Sequence, residues 1–208
     1  MRVSRPICSQ CKYPQATCLC AHVSTMYCTT AIDILQHPSE TKVAKNTARI
    51  CKLCLPQTQI WLGEGPDDFS QLRAELATEA RAVWLLYPGT GAELLTQRVE
   101  SDSPQVGVRL LLLDANWRKA FKMWQLNSWL ERLPKTTLSL LESNYRIRKS
   151  PKSHYLSTLE ALGYSLSVLE PGLDTRPLFN AFNAMQAHFE YYSEQCRGRM
   201  AHKDPSQP

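Results

Sequence analysis

Cys8, Cys11, Cys18 and Cys20 follow the pattern C-x2-C-x6-C-x-C. Two close pairs of thiolates on short turns can close a tetrahedral shell around zinc. A shell filled by four protein sulfurs is structural, because it leaves no open position for chemistry. Pro6 and Pro14 restrict the backbone that carries the pairs. The alternative is four ordinary reduced cysteines. Cys51 and Cys54 repeat the C-x2-C spacing, but late in a segment of helical periodicity. There i and i+3 share a face, and two small buried hydrophobes explain the pair better than a metal does. Cys28 and Cys196 are isolated and receive no role.

Asp114 offers a second kind of chemistry. It ends the most apolar stretch of the chain, VRLLLLD, and is followed by Ala115, Asn116 and Trp117. A carboxylate emerging at the edge of a dry interior can accept a proton, orient a nucleophile or cap the next helix. Trp117 adds a stacking plane beside it. A third cluster lies in NYRIRKSPKSHY, where Arg146, Arg148, Lys149, Lys152 and His154 fall among Tyr145 and Tyr155. Arginine pairs bidentately with phosphate and tyrosine stacks on bases, so the segment reads as a nucleic-acid contact or as a solvated basic loop. His37, before Pro38, reads equally as a ligand or as a structural histidine. The chain has no P-loop, no G-x-G-x-x-G and no H-E-x-x-H. ATP hydrolysis, dinucleotide binding of the Rossmann type and zincin chemistry therefore lack their usual signatures.

These residues need a scaffold, and the chain has the means to build one. Of 208 residues 43% are hydrophobic and 21% charged, enough apolar surface for a packed core. The net charge of +5 permits a nucleic-acid partner without requiring one. No apolar run is long enough to span a membrane, and the basic N-terminus lacks the apolar stretch of a secretory signal. Reduced thiols and a cytoplasmic location are the expectation. Residues 1–30 read as a metal knuckle and connector. From residue 31 onward, strands at 31–35, 59–62, 82–87, 108–113 and 136–141 alternate with helices at 41–55, 68–81, 118–132, from 157 and from 176. Ser157 and Glu160 form a capping box at the fourth of these helices. The alternation predicts an α/β domain over 31–196 with a mostly parallel sheet and flanking helices, and a flexible tail over 197–208. In such sheets ligands bind beyond the carboxyl ends of the strands. Three of those ends carry unusual residues: QHPSE (36–40), YPGTG (87–91) and DANW (114–117).

The motifs occur in one order: the four-cysteine pattern, QHPSE with Asn46 and Thr47 behind it, YPGTG, DANW with Lys122 and Met123 behind it, YRIRK (145–149) and STLEA (157–161). In this set the chain resembles the DTW-domain family of tRNA-uridine aminocarboxypropyltransferases. The resemblance runs from Cys8 to about Glu160. It implies a fold related to the SPOUT RNA methyltransferases, with a knotted C-terminal half. It also implies S-adenosylmethionine as cofactor, with the 3-amino-3-carboxypropyl chain as the donated group. N3 of a tRNA uridine would be the acceptor and 5′-methylthioadenosine the leaving product. The cofactor would lie against Tyr87, Pro88, Gly89, Asp114, Ala115, Trp117, Tyr155, Leu156 and Thr158. Asp114 would be the catalytic base, and Arg146, Arg148, Lys149 and Lys152 would contact tRNA. The family motif is D-x-T-W, and Asn116 stands here in place of the threonine. No membrane contact and no obligatory protein partner are expected. Two other readings share these residues: a SPOUT-type RNA methyltransferase, and a non-catalytic RNA-binding protein built on a zinc knuckle.

Overall fold

A computed structural model describes residues 6–139, 143–147 and 156–201. Among these residues there are six strands, β1 (Ala31–Gln36), β2 (Gln59–Leu62), β3 (Ala82–Leu86), β4 (Glu93–Leu94), β5 (Val108–Asp114) and β6 (Lys135–Thr137). They form one sheet in the order β2-β1-β5-β3-β6-β4, with every neighbouring pair parallel. The helices are α1 (Ala48–Cys54), α2 (Ser70–Leu76), α3 (Leu95–Asp102), α4 (Trp117–Leu126), α5 (Thr158–Leu169) and α6 (Arg176–Ala201). This is the α/β architecture with a parallel sheet that the alternating pattern predicts. The knot that the resemblance implies involves a C-terminal half in which 140–142 and 148–155 lie outside the described residues. Among the described residues no helix is long and apolar enough to cross a membrane.

β5 lies inside the sheet and is covered on both faces, which is why its sequence is a continuous apolar run rather than an alternating one. Leu110 and Leu112 join a first core with Ile32, Ile34 and Trp84, roofed by α1, α3, α5 and α6. Leu111 joins a second core with Leu35, Leu85, Leu72 of α2 and Met123 of α4. The N-terminal knuckle is not a detached module. Tyr13, Leu19 and Met26 belong to the first core. Gly163 sits where α5 meets α6; a Cβ there would come within 2.7 Å of the Phe179 ring.

Several helices are shorter than periodicity suggests. The segment read as a helix over 41–55 is a 3₁₀ turn at Pro38–Lys42, an irregular stretch and then α1. Asn46 interrupts it by accepting the Arg49 N–H on its own side chain, a local bond that starts α1 late. The segment read over 118–132 ends at Leu126, where the Asn127 side chain donates to the Met123 carbonyl, and a 3₁₀ turn follows. β4 and α3, between the YPGTG loop and β5, carry too little pattern to be read from sequence.

Candidate functional site

The strand register sets Gln36 of β1 opposite Asp114 of β5, so the two central strands end together. Asp114 is 4% exposed, and both of its oxygens are in use. Oδ2 accepts from Gln36 Nε2 at 2.7 Å and from Asn46 Nδ2 at 2.8 Å. Oδ1 accepts from Thr158 Oγ1, in the first turn of α5, at 2.6 Å. Asn46 is itself fixed: its Oδ1 accepts from Gln36 Nε2 and from the Arg49 backbone. Among the described residues the carboxylate is thus held by three neutral donors, drawn from β1, the segment before α1, and α5, and no cation pairs with it. Asp114 does not cap the following helix. Asn116 does, its Oδ1 accepting the Lys119 N–H at 3.0 Å. The residue at which the chain departs from D-x-T-W therefore keeps the turn, and Asp114 is released from that duty.

Beside this network lies a cavity of about 200 Å³ at the carboxyl ends of β3, β5 and β6. Of the nine residues implied for the cofactor, Tyr87, Pro88, Ala115, Trp117, Leu156 and Thr158 line it. Asp114 stands behind Thr158 rather than in the wall. Gly89 turns the chain away with a φ of +147° and is not in the wall either. Tyr155 lies outside the described residues. Leu86, Leu112 and Leu138 supply apolar floor, while Thr137, Ser139 and Thr158 supply hydroxyls. Aromatic and apolar faces with a few hydroxyls suit a nucleoside. No charged side chain lines the cavity among the described residues, so this wall fits the adenosine part of S-adenosylmethionine rather than its amino-acid end.

Polar contacts order the loops that follow β1 and β2. His37 donates its backbone N–H to the Asp114 carbonyl, accepts the Ser39 N–H on Nδ1, and sets Nε2 3.4 Å from Glu64. Lys122 Nζ lies 2.9 Å from the same Glu64 carboxylate and, as the principal cause, holds it below its ordinary pKa. Of the four basic residues read as RNA contacts, Arg148, Lys149 and Lys152 lie outside the described residues. Arg146 is paired with Glu190 of α6, at 2.9 Å from Nε to Oε1.

The four cysteine sulfurs lie within 4.8 Å of one another. Cys8 and Cys20 are 3.6 Å apart and Cys11 and Cys18 are 3.7 Å apart. Tetrahedral zinc with Zn–S near 2.3 Å requires S···S edges of about 3.8 Å, so the donor set fits that ion. Backbone N–H groups of Cys11 and Gln10 lower the Cys8 thiol to about 6, while the hydrogen-bonded Cys18 sulfur pushes the Cys20 thiol up to about 12. Cys51 and Cys54 are buried in the first core. Burial pushes the Cys51 thiol well up and the Cys54 thiol to about 11, which keeps both as inert thiols.

Tyr13, which sequence reasoning passed over, joins the knuckle to the carboxylate. It is fully buried and donates its hydroxyl to the Asn46 carbonyl at 2.7 Å. Arg49 lies over its ring at 4.8 Å and donates to the Lys12 carbonyl. Tyr13 is the one aromatic between the cysteine pairs, and that was the available signal.

Comparison with known proteins bears on this geometry. The DTW domain matches residues 5–190. A mouse protein named tRNA-uridine aminocarboxypropyltransferase 2 is 35% identical over 172 residues, covering 80% of this chain and 57% of its own length. The crab-eating macaque protein of that name is 34% identical over the same span. The fruit-fly one is 30% identical over 169 residues, 78% of this chain and 66% of its own length. The chain thus spans little more than half the length of the two mammalian relatives. No solved structure matches.

Proposed function

The chain belongs to the DTW-domain family, and on that footing we propose that it is a tRNA-uridine aminocarboxypropyltransferase. It would transfer the 3-amino-3-carboxypropyl group of S-adenosylmethionine to N3 of a tRNA uridine. The observation that carries this reading is the convergence of Gln36, Asn46 and Thr158 on the Asp114 carboxylate, directly behind the wall of a nucleoside-sized cavity. When bound, S-adenosylmethionine supplies the carbon to which N3 bonds as 5′-methylthioadenosine leaves. Uridine N3 carries a proton at neutral pH and must lose it to act as a nucleophile. Thr158 lines the cavity, and its hydroxyl donates to Asp114 Oδ1. The N3 proton passes to Thr158 Oγ1 as the threonine proton passes to Asp114. Asp114 is then the base and Thr158 its contact with substrate. Gln36 and Asn46 hold the carboxylate in place, and Tyr87 and Trp117 shield the cavity from water. The four cysteines hold one structural zinc.

The test is incubation with unmodified tRNA and S-adenosylmethionine, followed by nucleoside mass spectrometry. The expected product is uridine carrying an aminocarboxypropyl group, with 5′-methylthioadenosine released. A methyl added instead would make the protein a methyltransferase. Tight tRNA binding with no adduct would make it a binding module.

A further inference from the structure

We propose that the exposed face of α4 beside the cavity seats single-stranded RNA, with Phe121 stacking on a base next to the target nucleotide and Arg118 and Lys122 on its phosphates. The proposal rests on the reading above that the substrate is RNA. α4 starts in the cavity wall, where Trp117 and Ala120 line it. One turn beyond Trp117, Phe121 is 49% exposed. It is backed by other rings: Trp124 stacks with Phe121 at 6.0 Å and 29°, and with Tyr87 of the cavity wall at 6.0 Å and 15°. Lys135 Nζ lies 5.4 Å from the Trp124 ring and is held by the Thr90 carbonyl. A train of three rings thus runs from cavity to solvent and ends in a half-open ring on a firm support.

The charges around Phe121 do not serve the helix. Arg118, Lys119 and Lys122 fall in the first two turns of α4, and its first turn carries no acid. The helix dipole disfavours cations there. Lys119 donates to Ser39 Oγ, and Lys122 shares Glu64 with His37. Arg118 is exposed and makes no ion pair among the described residues. A phosphate over this face would relieve the unfavourable placement. Apolar surface alone would suit a protein partner, but a stacking ring flanked by cations suits a strand of nucleotides.

The test measures binding of an unmodified tRNA transcript across a salt series, for wild type, Phe121→Ala, Phe121→Leu, Phe121→Trp, Arg118→Ala with Lys122→Ala, and Arg176→Ala as a remote control. Leucine keeps the apolar contact with Trp124 and removes the π face, so it separates stacking from packing. Phe121→Ala and Phe121→Leu should each weaken binding by about tenfold or more at an unchanged salt slope, and Phe121→Trp should restore it. The double alanine variant should lower the salt slope by about 1.5 to 2. Arg176→Ala should match wild type. The same samples are given S-adenosylmethionine and analysed for nucleoside products. If Phe121→Leu and the double variant bind as wild type does, the seat on α4 is overturned even where the adduct forms. If the variants weaken binding but wild type yields no adduct, the seat stands and the proposed reaction fails.

Discussion

Asp33 and Asp114 are both nearly fully buried, on the adjacent parallel strands β1 and β5, yet they are held in opposite ways. Asp33 Oδ2 accepts from Arg109 Nε at 2.6 Å, and its Oδ1 accepts from Arg109 Nη2 and from Trp61 Nε1. Arg109 is further tied to Glu75 and Glu79. Asp114 lies roughly 10 Å further along the sheet, at three residues of strand rise, and on its other face by the two-residue alternation. Among the described residues it faces neutral donors only. A buried carboxylate with a cation against it is a closed ion pair and holds strands together. One with neutral donors, and a hydroxyl between it and a cavity, keeps its charge available to whatever enters. The difference lies in what surrounds the carboxyl group.

The largest effect should come from removing the support beneath one of the two carboxylates. Asn46 is held by Tyr13, and Tyr13 by the knuckle. Structural zinc contributes about 10–16 kcal/mol to folding in isolated zinc-finger peptides, so its loss here should release the knuckle. Elemental analysis should find close to one zinc per chain in wild type and almost none in Cys18→Ser with Cys20→Ser. Hydrogen exchange should then speed up around Asn46 while the β5 amides near Leu111 stay protected. Full zinc in that variant would remove the metal site. Equal loss of protection at both places would remove the distinction between the two regions.

Asp114→Asn removes the charge and spares the shape. Its Oδ1 can still receive Gln36 and Asn46, and its Nδ2 can donate to Thr158, whose hydroxyl turns to accept. The thermal midpoint should move by only a few degrees, while the single-turnover rate falls about 10²–10⁴-fold. A rate within about threefold of wild type would deny Asp114 the role of base. Asp33→Asn should do the reverse. Breaking a buried pair costs about 3–5 kcal/mol, and the lower end is expected because Arg109 retains Glu79 and Glu75. Denaturant melts should show that loss, with turnover per folded molecule unchanged. A variant Asp33→Asn that folds as stably as wild type would break the comparison from the other side.

The sequence made one carboxylate legible and not the other, for a physical reason. Asp114 closes an apolar run and opens a loop, a local pattern. Asp33 is one polar residue inside AIDIL, and its partner is 76 positions away. The capping box of α5 was readable because Ser157 and Glu160 satisfy each other three residues apart. The donors on Asp114 were not, since Gln36 and Asn46 arrive from 78 and 68 positions away. Periodicity also overran α1 and α4, because Asn46 and Asn127 redirect the backbone with their own side chains. Phe121 counted in the sequence as one apolar residue of a helix. Only the fold sets it beside the cavity, half exposed.

Tyr13→Phe refines the link between knuckle and carboxylate. It deletes one buried hydroxyl and leaves the Asn46 carbonyl short of a donor, a loss of about 1 kcal/mol. The ring stays, so zinc content should not change. Turnover should drop several-fold at unchanged tRNA affinity, because Asn46 loosens against Asp114. Normal turnover would make the tyrosine a packing residue and detach the knuckle from the site.

The smallest effect concerns acid, and it belongs to the Asp33 side. Glu79 is held down to about 2 from an ordinary 4.5, chiefly by the hydrogen-bonded Arg81 side chain, with Arg109 contributing. Its folded value lies below its unfolded one, so the unfolded chain takes up a proton first as pH falls. The stabilisation is therefore complete above about 4.5 and drains away as pH falls toward about 2. Glu79→Gln cannot gain or lose that proton. It should start less stable at neutral pH and lose less between those limits, so the two curves of thermal midpoint against pH converge in acid. Parallel curves would mean that Glu79 is not coupled to folding through Arg81 and Arg109, and that the ion pairs around Asp33 act as isolated contacts.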